Sequence, residues 1–135
     1  MVREINVISS HAGYHPLQMR AMHFLPGGAF SETGAHPVYM LLVLAGKVRR
    51  VHVVARNIAP YPWVAHSECH IELEGEKANS SVYISFGNRY MTDECEVLGT
   101  DCHLNVNLQT MQLTRSERRT YEQTALVASS FSKAG

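Results

Sequence analysis

The hydrophobic pattern of this chain changes period at Gly46, and that change constrains the fold more than any other feature of the sequence. Ahead of it, residues 38–45 are apolar on every side, which predicts a helix buried in the interior with Pro37 at its first position. Beyond it, apolar and polar residues alternate through most of the remaining chain, which predicts strands. A helix that covers one face of a set of strands predicts an α+β fold.

The sequence predicts strands, several of which have one apolar face and one polar face. They lie at residues 2–9, 50–55, 68–73, 81–86, 94–98 and 102–108, with a further strand near Met111 and Leu113 and a helix over residues 116–132. Antiparallel sheets tolerate such asymmetry because their polar face can meet water. The same face could instead meet a second copy of the chain in a symmetric dimer, and the sequence alone leaves both alternatives open.

Charge and length limit the classes of partner. The chain has 135 residues, which suits one domain over residues 1–135. Twelve lysines and arginines balance twelve aspartates and glutamates, so no long-range field attracts nucleic acid or an anionic membrane. The longest apolar run has eight residues and is too short to span a bilayer. We therefore expect partners recognised by local contacts, and we predict binding to neither nucleic acid nor a membrane.

Three cysteines bear on the cellular compartment. Cys69, Cys95 and Cys102 form no C-x-x-C pair. Because their number is odd, at least one thiol has no cysteine partner within the chain, which is typical of a reducing compartment. The N-terminal sequence lacks the apolar core of a secretory signal peptide. Both observations predict a cytoplasmic protein.

Residues 26–40 hold three glycines, an acid and a histidine directly ahead of the apolar run. Glu32 and His36 are four positions apart, so they would share one face if the backbone is helical there. A carboxylate beside an imidazole can orient and charge it, as proton transfer near neutral pH requires. Pro37 disfavours helical geometry at His36 and so weakens this argument. The alternative is a solvated ion pair at the start of a core helix.

Histidine spacing raises the alternative of a metal site. The pairs His11/His15 and His66/His70 are each four positions apart, a spacing that allows joint ligation on a helix. On a strand, four residues span about 13 Å, which is too far for two imidazoles on one ion. Because His66 and His70 lie at a predicted strand, we predict no metal site there. His11, His15 and His23 lie in an irregular region, which leaves that alternative open.

Two segments, taken in order, resemble a known family. The sequence LPGGAFSETGAHP at residues 25–37 precedes the apolar helix, Gly46 and a strand, and EVLGTDCHL at residues 96–104 forms a later predicted hairpin. This order resembles the second domain of the Gfo/Idh/MocA oxidoreductases, in which a Gly-Gly approach leads to an Asp-x-Gly-x-His motif and a helix that ends in Gly. The resemblance covers residues 2–115.

The resemblance implies an α+β domain with an open, mostly antiparallel mixed sheet and helices packed on one face. It also implies binding of a sugar, polyol or related hydroxy substrate beside the nicotinamide of NAD or NADP in the full-length enzyme. In the family, the histidine of the motif contributes to substrate binding and proton transfer, and it corresponds to His36. The acid of the motif corresponds to Glu32. Tyr39 stands where the family commonly has a further acid.

The cofactor half of the family is missing from this sequence. The chain contains neither G-x-G-x-x-G nor the Glu-Lys-Pro motif that supplies the family's catalytic lysine. The resemblance therefore implies a substrate-binding half that, alone, binds no cofactor and transfers no hydride. The alternative is a non-catalytic ligand-binding or oligomerisation module of the same fold. In either case we expect a homo-oligomer formed through the polar sheet face.

Overall fold

The computed structural model describes residues 1–12, 24, 30, 35–57 and 66–117. Eight elements lie in these ranges: β1 (Val2–Ser10), α1 (Ala35–Ala45), β2 (Val48–Arg56), β3 (Glu68–Gly75), β4 (Asn79–Ser85), β5 (Thr92–Gly99), β6 (Cys102–Asn107) and β7 (Gln112–Glu117). No helix in the same ranges has both the length and the apolar character needed to cross a lipid bilayer.

The seven described strands form one open sheet. Its order is β2-β3-β4-β1-β5-β6-β7, with β2 and β7 at the edges. β1 pairs with β4 in parallel, and every other neighbouring pair is antiparallel. α1 packs on one face of the sheet, against β1, β4 and β3. The predicted α+β class and the open, mostly antiparallel mixed sheet are therefore confirmed.

The core lies between α1 and the middle of the sheet. Its most deeply buried strand side chains alternate along two neighbouring strands: Ile5 and Val7 on β1, and Val82 and Ile84 on β4, each at 2% exposure or less. The alternation on β4 is the predicted one. Leu41 of α1 is fully buried against them. Burial of each of these side chains contributes about 1.5–3 kcal/mol. The central strands and α1 are thus held together mainly by apolar contact.

α1 begins two residues earlier than predicted. Ala35 and His36 belong to the helix, so Pro37 is at its third position and not at its first. The first four N–H groups of a helix have no acceptor within it, so a proline in the first turn removes no hydrogen bond. A residue before proline only prefers extended geometry. The expected departure of His36 from the helix is therefore wrong as well.

α1 is buried along one stripe and not on all sides. Leu41 and Ala45 are fully buried, whereas Tyr39 is 70% exposed and Val43 is 59% exposed. The prediction of a helix buried in the interior is therefore wrong. The strands contact α1 from one side, so its apolar residues on the other side face outward.

The end of α1 is fixed against the β3–β4 turn. Gly46 has a φ of 76°, a left-handed conformation that suits glycine at a helix end. The backbone N–H of Lys77 donates to the Ala45 carbonyl at 2.9 Å. Glycine is also required at Gly75, since a Cβ there would lie 2.5 Å from the Ala78 carbonyl oxygen and 2.6 Å from that of Ala45. The C-terminus of α1 and the β3–β4 turn therefore pack backbone against backbone.

The predicted helix over residues 116–132 is wrong at its start. Ser116 and Glu117 belong to β7, where Ser116 pairs with His103 of β6. Pairing with β6 supplies hydrogen-bond partners for the backbone of this polar segment. Such pairing cannot be predicted from a hydrophobic pattern. Residues 118–132 lie outside the described residues. The hairpin at residues 99–101 is confirmed, because β5 ends at Gly99 and β6 begins at Cys102.

Candidate functional site

The chain ahead of α1 reaches the sheet where β4 ends. There the ring of Phe30 packs edge-on against Phe86, with centroids 5.3 Å apart. The other end of α1 lies at the β3–β4 turn. The first turn of α1, with the exposed side chain of His36, therefore lies toward the end of the sheet where β1 and β4 finish and β5 begins. We call this the His36 end of the sheet.

The layer of the sheet that faces α1 turns polar at the His36 end. Val7 pairs with Cys95 across β1 and β5, and both are buried. Two residues further along β1, Ser9 pairs with Asp93. Alternate residues of a strand share a face, so the side chains of Ser9 and Asp93 lie in the same layer as this buried apolar pair. Ser9 is only 4% exposed, and Asp93 is half-buried.

His11 is fixed at the same end by several contacts. Its Nε2 atom lies 2.9 Å from the hydroxyl oxygen of Ser9. Its ring stacks on Phe86, with centroids 5.0 Å apart and 16° between the planes. Its backbone N–H donates to the Ser85 carbonyl at 2.8 Å. The imidazole is therefore held in place while it stays partly exposed.

His11 and Asp93 each stabilise the charged form of the other, whereas burial disfavours both charged forms. Burial lowers the pKa of His11, and the negative charge of Asp93 opposes that shift. Burial raises the pKa of Asp93, and the positive charge of His11 opposes that shift. The two pKa values are thus displaced toward each other. The free-energy difference between a proton on His11 and the same proton on Asp93 is therefore smaller than for a histidine and an aspartate with ordinary pKa values.

The structure places one of the two predicted catalytic residues. His36 is exposed in the first turn of α1, whereas Glu32 lies outside the described residues, so their pairing stays a prediction. His11 and Asp93 were missed as a pair, because only the register that sets Asp93 opposite Ser9 brings the carboxylate toward the ring that contacts Ser9. One signal was available: Asp93 occupies an inward position of the alternation that continues at Cys95.

A chain of polar contacts crosses the other face of the sheet. The Ser81 hydroxyl donates to Asn6 Oδ1 at 2.7 Å, and Asn6 Nδ2 donates to Glu96 Oε1 at 3.1 Å. Glu96 Oε2 lies 3.1 Å from His103 Nε2, close enough for an ion pair but not aligned for a hydrogen bond. The hydrogen bond from Asn6, helped by His103, lowers the pKa of Glu96. These four residues, which we call the polar chain, join β4, β1, β5 and β6.

Tyr83 organises a second polar group on the same face. Its hydroxyl donates to Glu68 Oε2 at 2.6 Å and accepts from Asn88 Nδ2 at 3.2 Å. Burial raises the pKa of Tyr83, and the hydrogen bond to Glu68 adds to the shift, so the hydroxyl stays a donor at neutral pH. A depression of about 240 Å³ lies beside this group, with Tyr83 and Glu68 among its lining residues. The polar face is therefore ordered by side-chain contacts and is not smooth.

The described residues do not fit a metal ion or a dinucleotide. None of their histidine, cysteine, aspartate and glutamate side chains form a group of three that could hold an ion. His15 and His23 lie outside those residues. A dinucleotide pyrophosphate binds at a Gly-rich turn between a strand and a helix of a parallel sheet, whereas among the strands described only β1 and β4 pair in parallel. The described residues therefore offer a site to neither group.

Comparison with known proteins identifies the family. Residues 2–105 match the family model described as the GFO/IDH/MocA C-terminal domain. The chain belongs to this family. The resemblance noted at residues 25–37 and 96–104 is thereby confirmed. The comparison with curated proteins found no match.

Solved structures share the fold of this GFO/IDH/MocA domain at low sequence identity. Levoglucosan dehydrogenase in complex with NADH and levoglucosan has a TM-score of 0.74 and 17% identity, with 90% of this chain and 37% of that chain covered. UDP-N-acetylglucosamine 3-dehydrogenase from Acidithiobacillus ferrooxidans has a TM-score of 0.71 and 14% identity, with 87% of this chain and 36% of that chain covered. Myo-inositol dehydrogenase from Corynebacterium glutamicum ATCC 13032 has a TM-score of 0.62 and 14% identity, with 90% of this chain and 37% of that chain covered. The chain thus matches little more than a third of each of those proteins.

Proposed function

We propose that this GFO/IDH/MocA domain is the substrate-binding half of an NAD(P)-dependent oxidoreductase that acts on a sugar, polyol or related hydroxy compound. The observation that carries the proposal is the position of His36, exposed in the first turn of α1 toward the end of the sheet that Ser9, His11 and Asp93 make polar. The names of similar structures support the substrate class, since they include levoglucosan, UDP-N-acetylglucosamine and myo-inositol.

His36 is the proposed acceptor of the substrate's hydroxyl proton. Oxidation of a hydroxyl group removes a proton from oxygen and a hydride from carbon, and imidazole is the side chain suited to take a proton near neutral pH. The N-terminal end of α1 carries a partial positive charge, which favours an oxygen that is losing its proton. Glu32, four positions earlier, is the proposed partner that orients the ring.

The hydride acceptor in this proposal is NAD or NADP, held by another part of the enzyme. Levoglucosan dehydrogenase binds NADH together with levoglucosan, and the matched region is 37% of that protein. Exposed apolar side chains on α1, namely Tyr39, Leu42 and Val43, support a further domain on this side, because such a patch suits contact with protein. We therefore expect the chain alone to transfer no hydride.

Calorimetric titration with NADH tests the missing cofactor site. On this chain alone we expect no saturable heat, because the described residues form no pyrophosphate cradle. Levoglucosan dehydrogenase, titrated under the same conditions, is the positive control. A dissociation constant in the micromolar range for this chain would contradict the proposal.

We also propose that the polar face of the sheet binds a second copy of the chain. A two-fold contact places each group against a copy of the same surface, so that surface must carry both signs of charge. Arg50 of β2 stands opposite Glu74 of β3, and Arg56 stands opposite Glu68, which meets this condition. Ile8, at the centre of the face on β1, is 41% exposed, and a partner would cover it.

Light scattering after size-exclusion chromatography tests this contact. We expect the mass of at least two chains, and a monomer at every concentration tested would contradict it. A tight oligomer that binds no sugar or polyol would favour the second candidate, a non-catalytic oligomerisation module of the same fold. The polar face supports both candidates equally, whereas the exposed His36 favours the oxidoreductase half.

A cytoplasmic location is the remaining part of the proposal. Cys69, Cys95 and Cys102 are all free in the structure, as suits a reducing compartment. Fractionation of cells that express the protein tests it, and recovery from a secreted or membrane fraction would contradict it.

A further inference from the structure

We propose that His11 and Asp93 form a second substrate-contacting pair at the His36 end of the sheet, in which the imidazole of His11 binds an uncharged hydroxyl group and Asp93 positions that imidazole. The inference rests on the proposed function, because that function brings a hydroxy compound to this end. To that function the inference adds His11 and Asp93 as the residues that determine substrate selectivity, and uncharged hydroxy compounds as the class that they favour.

The place of Asp93 in the fold argues against a role in packing alone. The preceding row of the layer that faces α1 is Val7 with Cys95, and an apolar residue at position 93 would extend that row. The carboxylate instead meets a desolvation penalty, which is seen in its raised pKa. Ionisable groups that are partly buried at the edge of a core, despite the energetic cost, are typical of binding and catalytic sites.

His11 is oriented in advance of any ligand. Phe86 covers a face of the ring, and Ser9, which is itself 4% exposed, lies 2.9 Å from Nε2. The backbone of His11 is tied to the end of β4 through the Ser85 carbonyl. The part of the imidazole that stays exposed can meet a small molecule, and little conformational freedom is lost when it does.

The charges of the pair select an uncharged hydroxyl group. Burial lowers the pKa of His11, so the ring is mainly neutral at pH 7 and has one donor and one acceptor nitrogen, and a hydroxyl group can pair with either kind. The carboxylate of Asp93 repels a phosphate or a carboxylate from the same place. At this position the pair therefore favours a sugar or polyol over an acidic sugar.

Histidine-selective NMR on the whole chain tests the inference. The ring signals of His11 and His36 in ¹⁵N-histidine-labelled protein are assigned with the variants His11→Gln and His36→Gln, and levoglucosan and myo-inositol are titrated in turn at pH 7. We expect the signals of both histidines to shift along one saturation curve with at least one probe. Shifts of His36 alone would overturn the inference and leave the proposed function standing. Shifts of His11 alone would support the inference and overturn the role of His36, and shifts of neither would overturn both.

Asp93→Asn separates positioning from packing. The substitution keeps the shape and removes the charge, so the affinity measured at the His11 signal should fall about threefold or more. Glucuronate, which carries a carboxylate, should bind this variant more tightly than the parent chain. Asp101→Asn in the exposed β5–β6 turn is the matched control and should change neither affinity. Equal affinities in all three chains would overturn the positioning role.

A second variant tests the orientation of His11 without a change to the carboxylate. Ser9→Ala removes the hydroxyl that lies 2.9 Å from Nε2 and leaves the carboxylate in place. The ring of His11 should then lose its fixed orientation, and the affinity measured at its signal should fall. An unchanged affinity in a folded Ser9→Ala chain would overturn the inference.

Discussion

Glu96 Oε2 lies 3.1 Å from His103 Nε2, so a carboxylate and an imidazole bridge β5 and β6 on the polar face of the sheet. The same carboxylate accepts a hydrogen bond from Asn6 on β1. One glutamate therefore links three neighbouring strands. The side chains of Glu96 and His103 are 37% and 36% exposed, so solvent screens their attraction and the contribution to stability is small.

Glu96→Gln should flatten the acid limb of the stability profile. The pKa of Glu96 is lowered in the folded state, so the carboxylate contributes stability above its ordinary value of 4.5, and this is lost as the pH falls through the lower folded value. At pH 7 we expect a loss of about 0.5 kcal/mol in urea unfolding followed by circular dichroism. Glu94→Gln, on the same strand and face, is the control. An unchanged acid limb in Glu96→Gln would contradict this account of the polar chain.

Asp93→Asn should stabilise the fold while it weakens ligand binding. The pKa of Asp93 is raised in the folded state, so its favourable contribution is complete below the ordinary value of 3.8 and is lost as the pH rises through the folded value. The neutral amide avoids that loss, and because Asp93 is only half-buried we expect a small gain, about 0.5 kcal/mol or less, at pH 7 in urea unfolding. Parent and variant should converge at acid pH. A variant less stable than the parent at pH 7 would show that the fold needs this charge.

Leu41→Ala and Leu42→Ala test the single buried stripe of α1. Leu41 is fully buried, whereas Leu42, its neighbour, is 42% exposed. We expect Leu41→Ala to lower the free energy of unfolding by about 2–5 kcal/mol. Leu42→Ala should change it by about 0.5 kcal/mol or less. Similar losses in the two variants would mean that the helix is covered on both sides.

Ile8→Arg tests the proposed contact between polar faces. The side chain of Ile8 is exposed at the centre of that face, so a charge there would be desolvated against a second copy of itself. Light scattering should show a shift to monomer, with the circular dichroism spectrum of the parent retained. Val43→Arg, at an exposed apolar position of α1 on the opposite side of the sheet, is the control. A variant that stays oligomeric would place the interface elsewhere.

The change of period at Gly46 was enough to predict the fold class, because an apolar helix followed by alternating strands has few other arrangements. The exposed side of α1 could not be predicted, since residues 38–45 are all apolar and only the position of the sheet decides which of them are buried. The parallel pairing of β1 with β4 is a tertiary fact that no local pattern contains.

The candidate site divides in the same way. His36 could be named from a motif, because the motif is local in the sequence. His11 and Asp93 could not, because the register of β1 against β5 places Asp93 beside Ser9. Asp93 lies one residue ahead of the strand predicted at residues 94–98, so periodicity did not identify it. Sites assembled across strands therefore need the register before they can be seen.

Turnover by this domain joined to an NAD-binding half tests the central claim most directly. With levoglucosan or myo-inositol as substrate, His36→Gln should lower kcat/KM about 100-fold or more and leave NADH affinity unchanged, because the imidazole takes the hydroxyl proton and does not hold the cofactor. Tyr39→Phe, at an exposed position of the same helix, should keep the parent activity. Turnover by His36→Gln within about twofold of the parent would contradict the account.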